Sequence, residues 1–347
     1  MSDKRYLGNI ITPTPTEPSG PYQDSAAAGV WSLQEAFTYT KAGLWPNAAN
    51  IAPTGLFAGG NIAVGQTNEI SYIRIGSLGN TSDWGDLTAA GLSTGGAASS
   101  TRGVFGPNSY GRRNIYDYVT FASAGNATDF GDPTILNFGG CGVAGLSNST
   151  RGIHGGIIDS TNRIEYVTIA TTSNATDFGD MSVARTTTAT GASTTRGIFA
   201  GGNPNGPFSN VIDYVTIATT GNALDFGDST VPRAQFGGAS SSTRAIFGGG
   251  WSSADSTEAT IDYVTIATTG NATDFGDLVT GRNDVAAVSS SIRAVFQGGG
   301  GFVNGNAARI LLDYITIAST GNAVDFGDQT TEKYASGSLS NAHGGLA

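Results

Sequence analysis

The sequence predicts an all-β fold, a six-bladed β-propeller with four strands in each blade. The first observation is a block of the form Asp-aromatic-Gly-Asp that occurs six times, beginning at Asp83, Asp129, Asp177, Asp225, Asp274 and Asp325. The second is the interval between copies, about 48 residues, which falls in the range of propeller repeats. The third is that apolar residues spaced as in a helix are missing from these repeats. Propellers contain about 4–8 blades of four strands, so six copies predict six blades.

One repeat shows the four predicted strands. RGIFAGG (196–202) is rich in β-forming residues and ends at glycines, and VIDYVTIATT (211–220) is the strongest strand. GNALDFGDST (221–230) reads as a turn and a short edge strand, and VPRAQFGGASSS (231–242) as a strand of small residues. Because polar and apolar residues do not alternate strictly along these strands, we expect sheets that are packed on both faces.

The two ends of the repeat region predict that the propeller closes. The first copy starts at TGLFAGG (54–60) without a small-residue strand before it, whereas QTTEKYASGSLSNAHGG (329–345) matches that missing strand. The C-terminal strand would complete the first blade and leave no free sheet edge. We therefore expect a propeller over residues 51–347.

Residues 1–50 lie outside the repeats and predict an N-terminal arm. Residues 12–21 are rich in proline and extended, and Ser32 with Glu35 would cap a short helix over about residues 33–41. The arm carries four large apolar residues, Trp31, Phe37, Leu44 and Trp45. Two interpretations stay open: these side chains pack on the propeller, or they anchor the chain to another protein or to a second copy of itself. Aromatic residues concentrated on a short segment favour the anchor.

Composition excludes several classes of function. The formal net charge is −10, and the longest basic run is Arg112-Arg113, so a nucleic-acid partner is not expected. The single Cys141 predicts a buried apolar residue, and two histidines are too few for a His/Cys metal site. The sequence contains no signal-like segment and no apolar run of membrane-spanning length. We expect a soluble chain made in a cytoplasm, with no membrane insertion and no cofactor.

The repeated Asp-Phe-Gly-Asp block allows two interpretations. Paired carboxylates suit a hard cation such as Ca²⁺, but turn chemistry explains the same residues without a ligand. The sequence favours the structural interpretation, with Asn126 or Asn222 in an Asx turn, the aspartates accepting backbone N–H groups, and the phenylalanine filling the space between blades. We also expect a buried ion pair between these carboxylates and an arginine that recurs once per blade and would set blade register. The arginines are Arg102, Arg151, Arg196, Arg244 and Arg293.

The segment between the second and third strands differs in every repeat. These variable loops are residues 61–69, 107–114, 157–163, 203–210, 251–259 and 301–309. Because they occupy one topological position, we expect them on one face of the propeller. Rings with polar handles, Asn and Ser are typical of adaptable recognition surfaces, although loops also vary without function. The candidate binding residues are Tyr110, Arg112, Arg113, Phe208, Trp251 and Phe302.

Two resemblances follow from these motifs. The repeat resembles that of kelch-type propellers over residues 52–347. The shared features are the Gly-Gly segment, the tyrosine strand, an aromatic residue about 12 positions later, and an arginine before a small-residue strand. The sequence DYVTIATTGNATDFGD resembles repeats in virion proteins of tailed bacteriophages, including cyanophages. The stretch SGPYQDSAAAGVWSLQEAFTYTKAGLWP (19–46) resembles a segment of phage tail and fibre proteins. These resemblances imply a structural protein of a virus particle.

The expected function is therefore non-enzymatic. The first hypothesis is a tail-fibre or receptor-binding protein that recognises host cell-surface glycan or protein through the loops between strands two and three and contacts other virion proteins through the arm. The alternative is a capsid decoration or collar protein that binds only virion proteins. A glycan-processing enzyme is the third hypothesis, but the sequence lacks the histidines of a kelch-type copper oxidase, the Asp-box wording of a sialidase and a Gly-x-Ser-x-Gly elbow.

Overall fold

The structure is a computed structural model that describes residue 34 and residues 52–346 except 93–94, 108–113, 135–142, 157–161, 205, 253–255 and 301–309. The chain divides into two units, residues 1–52 and 53–347. The predicted arm residues Trp31, Phe37, Leu44 and Trp45 lie outside the described residues, as does Cys141. In the described part of the chain, no helix is long and apolar enough to span a membrane.

The second unit is built from antiparallel four-stranded sheets, six of which are described. In each sheet the strands are given from inner to outer. The first sheet contains β29 (Gly337–Ser340), β1 (Thr54–Ala58), β4 (Glu69–Arg74) and β5 (Ser82–Asp86), and the second contains β6 (Gly96–Ala98), β7 (Arg102–Phe105), β8 (Tyr116–Thr120) and β9 (Thr128–Gly131). The third contains β10 (Ala144–Ser147), β11 (Arg151–Gly155), β12 (Arg163–Thr168) and β13 (Thr176–Asp180).

The fourth to sixth sheets repeat this order. They contain β14 (Ala189–Ala192), β15 (Arg196–Gly202), β16 (Ser209–Thr216) and β17 (Leu224–Asp228); β19 (Gly237–Ser240), β20 (Arg244–Gly248), β23 (Thr260–Thr265) and β24 (Thr273–Asp277); β25 (Ala286–Ser289), β26 (Arg293–Gln297), β27 (Leu311–Thr316) and β28 (Val324–Asp328). The predicted four strands per repeat are thus present, and the fold is all-β and propeller-like.

Three short pairings extend the sheets at the end that carries the variable loops. β2 (Asn61–Ile62) and β3 (Gly65–Gln66) form a hairpin. β18 (Arg233–Ala234), β21 (Trp251–Ser252) and β22 (Ser256–Thr257) form a three-stranded sheet. The C-terminal strand β29 belongs to the first sheet, because Gly55 of β1 lies opposite Ser340 and Ala58 opposite Gly337.

Hydrophobic contacts join neighbouring sheets. Phe226 of the fourth sheet is buried in one cluster with Val264 and Ile266 of the fifth, and Phe326 of the sixth sheet is buried with Ile75 of the first. Each such phenylalanine also packs edge-on against the tyrosine of its own sheet; Tyr214 and Phe226, for example, have ring centroids 6.0 Å apart. The prediction that this aromatic residue fills the space between sheets is confirmed.

The repeated asparagine links neighbouring sheets, and the predicted Asx turn within its own repeat is wrong. Asn222 Oδ1 accepts a hydrogen bond of 3.1 Å from the backbone N–H of Asp180, the last residue of the preceding outer strand. The bond recurs at Asn80, Asn126, Asn174, Asn271 and Asn322, which accept from Asp328, Asp86, Asp132, Asp228 and Asp277. The amide reaches across because the turn that carries it abuts the neighbouring sheet.

The repeated arginines do not pair with the Asp-Phe-Gly-Asp carboxylates, so that expectation was wrong. The Arg196 guanidinium lies 4.3 Å from the Tyr214 ring centroid, and its Nη1 donates to the Ile266 carbonyl of the next sheet at 2.7 Å. Arg102, Arg151, Arg244 and Arg293 repeat this arrangement. The carboxylates are out of reach because Asp129, Asp177, Asp225, Asp274 and Asp325 are exposed on the outer strands.

The first sheet has Thr54 where the others have this arginine, and a different residue takes its place. Arg74, at the end of β4, lies 5.4 Å from the Tyr72 ring centroid, and its Nη1 donates to Thr54 Oγ1 at 2.5 Å. A cation therefore stacks on the tyrosine in this sheet as well, although it comes from the third strand rather than the second.

Candidate functional site

Residues on or next to the inner strands of the six described sheets line a cavity of about 120 Å³. Small residues line it because the inner backbones approach closely: a side chain at Gly238 would lie 2.2 Å from the Thr190 carbonyl oxygen. Six residues, one from each sheet, separate this upper cavity from a lower cavity of about 50 Å³; they are Gly96, Gly145, Thr190, Gly238, Ala287 and Ser338. The small-residue strand of the sequence repeat is thus the cavity wall.

The lower end of the cavity is filled by residues near the C-terminus. A 3-10 turn over Gly344–Leu346 follows His343, whose Nε2 lies 3.1 Å from Ser147 Oγ and 3.1 Å from the Ala98 carbonyl oxygen. The backbone N–H of Gly345 donates to His343 Nδ1 at 3.1 Å, so Nε2 is the protonated nitrogen of a neutral ring. Burial lowers the pKa of His343 to about 4. Because this end is filled, the upper cavity is reached from the other end.

The upper end of the cavity lies between the segments that lead from each outer strand to the next inner strand, here called the linkers. Four linkers place a non-glycine residue in the left-handed backbone region at an equivalent position, with φ between 54° and 60°. These residues are Thr187, Gln235, Asp284 and Ala335, and all four line the cavity. Such backbone is uncommon outside glycine and costs free energy, so the surrounding structure must hold it.

Backbone hydrogen bonds connect these left-handed positions from sheet to sheet. The N–H of Gln235 donates to the Thr187 carbonyl at 3.2 Å, and the N–H of Ala335 donates to the Asp284 carbonyl at 3.1 Å. Between them, the N–H of Val285 donates to the Gln235 carbonyl at 3.4 Å. The linkers therefore form a continuous hydrogen-bonded rim around this side of the cavity.

A buried cation fixes each of these linkers two residues before the left-handed position. Arg185 Nη2 lies 2.9 Å from Asp213 Oδ2, and both side chains are buried. Arg233 pairs with Asp262 at 2.5 Å, Arg282 with Asp313 at 2.7 Å and Lys333 with Glu69 at 3.4 Å. Burial lowers the pKa of Arg185 and Lys333, and the neighbouring carboxylate opposes that shift. Sequence reasoning missed these pairs, although a basic residue follows four of the six Asp-Phe-Gly-Asp blocks at one spacing.

Asp284 is the acidic residue among those lining the upper cavity. Its Oδ2 accepts a hydrogen bond of 3.2 Å from Asn283 Nδ2, which also donates to Gln235 Oε1 at 3.2 Å. Burial raises the pKa of the Asp284 carboxyl to about 7, with no opposing cation among the described residues. The upper cavity therefore holds a carboxylate and an amide oxygen side by side, bridged by one amide group.

The structure brings together two of the six candidate binding residues from the variable loops. Phe208 and Trp251 come from the loops of the fourth and fifth sheets, and their rings pack edge-on with centroids 5.0 Å apart. Both side chains are half-buried. Tyr110, Arg112, Arg113 and Phe302 lie outside the described residues. In the first sheet, Val64 stands at the tip of the β2–β3 hairpin and is 91% exposed.

Between the second and third sheets, an uncharged donor takes the place of the arginine that pairs with an aspartate between other sheets. Tyr116 Oη donates to Glu165 Oε1 at 2.6 Å, and Thr134 Oγ1 donates to Glu165 Oε2 at 2.6 Å. Burial and the neighbouring carboxylate raise the pKa of Tyr116 well above its usual value. His154 packs edge-on against Tyr116 with ring centroids 4.9 Å apart. Tyr116, Glu165 and His154 are fully buried, so this cluster joins two sheets and has no surface open to a substrate.

The outer-strand aspartates form no metal centre among the described residues, where no group of three or more His, Cys, Asp or Glu is suited to hold an ion. Asp129 Oδ1 instead accepts the N–H of Gly131 at 2.9 Å, as the structural interpretation predicts for this turn. Asp177 pairs with Arg163 at 3.2 Å, and both side chains are well exposed.

Comparisons with known proteins bear on the fold alone. No protein-family model matches the chain, and no curated protein matches it. The solved structure of YjhT resembles it with a TM-score of 0.61 at 11% sequence identity, over 73% of this chain and 88% of that one. At this identity the likeness supports the propeller-like fold and carries nothing about activity.

Proposed function

We propose that residues 53–346 form a closed, kelch-like propeller of six blades. Three contacts between the sixth and first sheets support closure: Arg293 Nη1 donates to the Ile75 carbonyl at 3.0 Å, and Asn80 Oδ1 and the Phe326 carbonyl accept from the backbone of Asp328 and Gly79. The asparagine bond recurs between every other neighbouring pair of described sheets. The arginine bond recurs between all of these pairs except the first and second sheets. The C-terminal strand β29 supplies the inner strand of the first blade.

We further propose that the chain is a non-enzymatic virion protein whose propeller presents a recognition face. The observation that carries this proposal is the position of the variable loops, which leave the same end of the sheets as the linkers around the upper cavity. Contacts that recur from sheet to sheet hold the strands and linkers, whereas the loops differ in every repeat. Phe208 and Trp251 form an aromatic pair across two of these loops, the kind of rigid contact area that recognition surfaces use.

The virion assignment rests on the resemblance of DYVTIATTGNATDFGD to virion proteins of tailed bacteriophages and of residues 19–46 to phage tail and fibre proteins. Within that setting, a tail-fibre or receptor-binding role fits best, with host cell-surface glycan or protein as the ligand and the arm as the attachment to other virion proteins or to further copies of the chain. A capsid decoration or collar role would use the same face for virion proteins only. The proposed location is the virus particle.

Binding of the full-length protein to a glycan array and to host cells tests this function. We expect binding that Trp251→Ala and Phe208→Ala each weaken at least tenfold. Ile292→Ala is the matched control, because Ile292 is 66% exposed in a turn at the opposite end of its sheet. If the protein bound neither glycans nor cells but was recruited to capsids, the receptor-binding role would be wrong and the capsid decoration role would be favoured. Turnover of a glycan would contradict the non-enzymatic proposal.

A further inference from the structure

The upper cavity has the features of a binding pocket that is separate from the variable loops. It is closed below by the constriction at Gly238 and Thr190 and, further down, by the turn after His343. Its upper end lies between the described parts of the linkers, on the face that carries the variable loops. Its walls are mainly glycine, alanine, valine and threonine, with Phe236, Ser336 and Ser338, and Asp284 is the one charged residue among the described residues that line it.

The Asp284 carboxylate is the unusual feature of this pocket. Its one hydrogen bond from a described residue comes from Asn283, and none of the described residues donates to Oδ1. The nearby cations are directed elsewhere: Arg282 pairs with Asp313, Arg233 with Asp262, and Lys333 with Glu69. A half-buried carboxylate without a cation beside it is costly, and proteins tolerate that cost at sites where a ligand supplies the missing charge.

The backbone supports the same conclusion. Thr187, Gln235, Asp284 and Ala335 adopt the left-handed conformation at the cavity, and the buried ion pairs two residues earlier hold three of these linkers. Asp284, at one of these left-handed turns, is among the residues that line the cavity. Four strained positions around one cavity indicate that its shape is maintained against a cost in stability.

We propose that this pocket binds a primary alkylammonium group. An ammonium group offers three N–H donors and a positive charge, which match the Asp284 carboxylate and the Gln235 amide oxygen bridged by Asn283. The alanine, valine and phenylalanine side chains in the wall offer apolar contacts to a short alkyl chain. A cavity of about 150 Å³ accommodates benzene, so about 120 Å³ has room for the five heavy atoms of butylammonium. A free amine and the side chain of a lysine on another protein present this same group.

The pocket is distinct from the proposed recognition by the variable loops. Phe208 and Trp251 are not among the residues that line it. Trp251→Ala should therefore leave ammonium binding unchanged, and Asp284→Asn should leave loop-mediated binding unchanged. Failure of one proposal is thus distinguishable from failure of the other.

Ligand-observed NMR with n-butylammonium chloride and the full-length protein tests the proposal. We expect saturable binding at pH 8, at least tenfold weaker binding to Asp284→Asn, and at least tenfold weaker binding of n-butanol, the neutral analogue. Asparagine tolerates the left-handed conformation, so this variant removes charge and keeps the turn. Asp274→Asn makes the same charge change on an exposed outer strand and should bind like the wild type. Binding should weaken between pH 8 and pH 5.5 as Asp284 is protonated.

Three results would overturn the proposal: no binding of n-butylammonium, equal binding by Asp284→Asn, or equal binding of n-butanol. Tight binding of Ca²⁺ that displaces the amine would overturn the ligand class. A second titration, with Nα-acetyl-lysine methylamide, distinguishes the sources. Tighter binding of this compound than of butylammonium supports a lysine side chain from another protein, and weaker binding supports a free amine.

Discussion

At the scale of single residues, His154 occupies a position that phenylalanine holds in the other sheets. The equivalent residues are Phe57, Phe105, Phe199, Phe247 and Phe296, all fully buried. The His154 ring nitrogens make no well-formed hydrogen bond to a described residue. A buried imidazole in this setting costs stability that an aromatic hydrocarbon would not.

We therefore predict that His154→Phe raises the free energy of unfolding at pH 7.5 by about 1–2 kcal/mol. Burial lowers the pKa of His154 to about 3, whereas an unfolded histidine titrates near 6.5. The wild type should therefore lose stability as pH falls below about 6.5, and the advantage of the variant should grow. Urea unfolding at pH 7.5, 6.0 and 5.0 measures both effects. A variant less stable than the wild type at every pH would contradict the prediction.

Asp284 gives the opposite dependence on pH. Its folded pKa is about 7 against an ordinary value of 3.8, so the native state binds the extra proton between these values. Stability from this group is complete below about pH 4, falls as pH rises towards 7, and is level above that. Since the side chain is half-buried, we expect Asp284→Asn to be more stable than the wild type at pH 8 by about 1–3 kcal/mol and equal to it near pH 4. Thermal unfolding across this range measures the difference, with Asp274→Asn as the control that should show none.

At the scale of elements, one contact between neighbouring sheets explains why the Asp-Phe-Gly-Asp block keeps its glycine. Gly227 has φ of +145°, and a side chain there would lie 2.6 Å from the Gly270 carbonyl in the next sheet. Gly270 also has positive φ, at +155°, but a side chain there would meet nothing within 4 Å. The two glycines thus share backbone conformation and differ in contact.

This pair predicts two different costs. Gly270→Ala should destabilise by about 1–3 kcal/mol through backbone strain alone. Gly227→Ala should cost at least about 1 kcal/mol more, because the added methyl group also separates two sheets that the Asn271–Asp228 hydrogen bond holds together. Equilibrium unfolding of both variants measures the difference. Equal losses would show that the close approach of the sheets does not constrain this position.

The strands of the repeat were predictable because runs of residues with high β-propensity recur with glycines at both ends. The buried aromatic residue between sheets was predictable for the same reason. The partners of the repeated arginines could not be predicted. The stacked tyrosine lies on a neighbouring strand and the carbonyl acceptor on the next sheet, and the spacing of residues along the sequence reveals neither contact. The left-handed linker residues were also hidden, since threonine, glutamine and alanine carry no turn signal. The central cavity followed from none of the motifs, because it exists only where six strands meet.

At the scale of the whole molecule, the C-terminal segment has two separable parts. β29 pairs with β1, and Leu339 fills the space beside Gly103 of the second sheet, where a side chain would lie 2.7 Å from Leu339. The residues after β29 plug the lower end of the cavity and add two bonds to the first sheet. The Thr54 N–H donates to Asn341 Oδ1 at 2.7 Å, and the Asn341 N–H donates to the Thr54 carbonyl at 3.3 Å. The strand joins two sheets, whereas the plug covers a cavity that is already narrow.

Two truncations separate these roles and test closure of the propeller. Removing residues 341–347 should leave a soluble protein that unfolds in one transition at a lower temperature, because every sheet keeps its four strands. Removing residues 337–347 should abolish cooperative unfolding and send most of the protein to the insoluble fraction, because β1 would then present an unpaired, apolar edge. Calorimetry and analytical ultracentrifugation distinguish the two. If the protein lacking residues 337–347 unfolded as cooperatively as the full chain, the first sheet would not depend on its C-terminal strand. That result would contradict the proposed closed six-bladed arrangement.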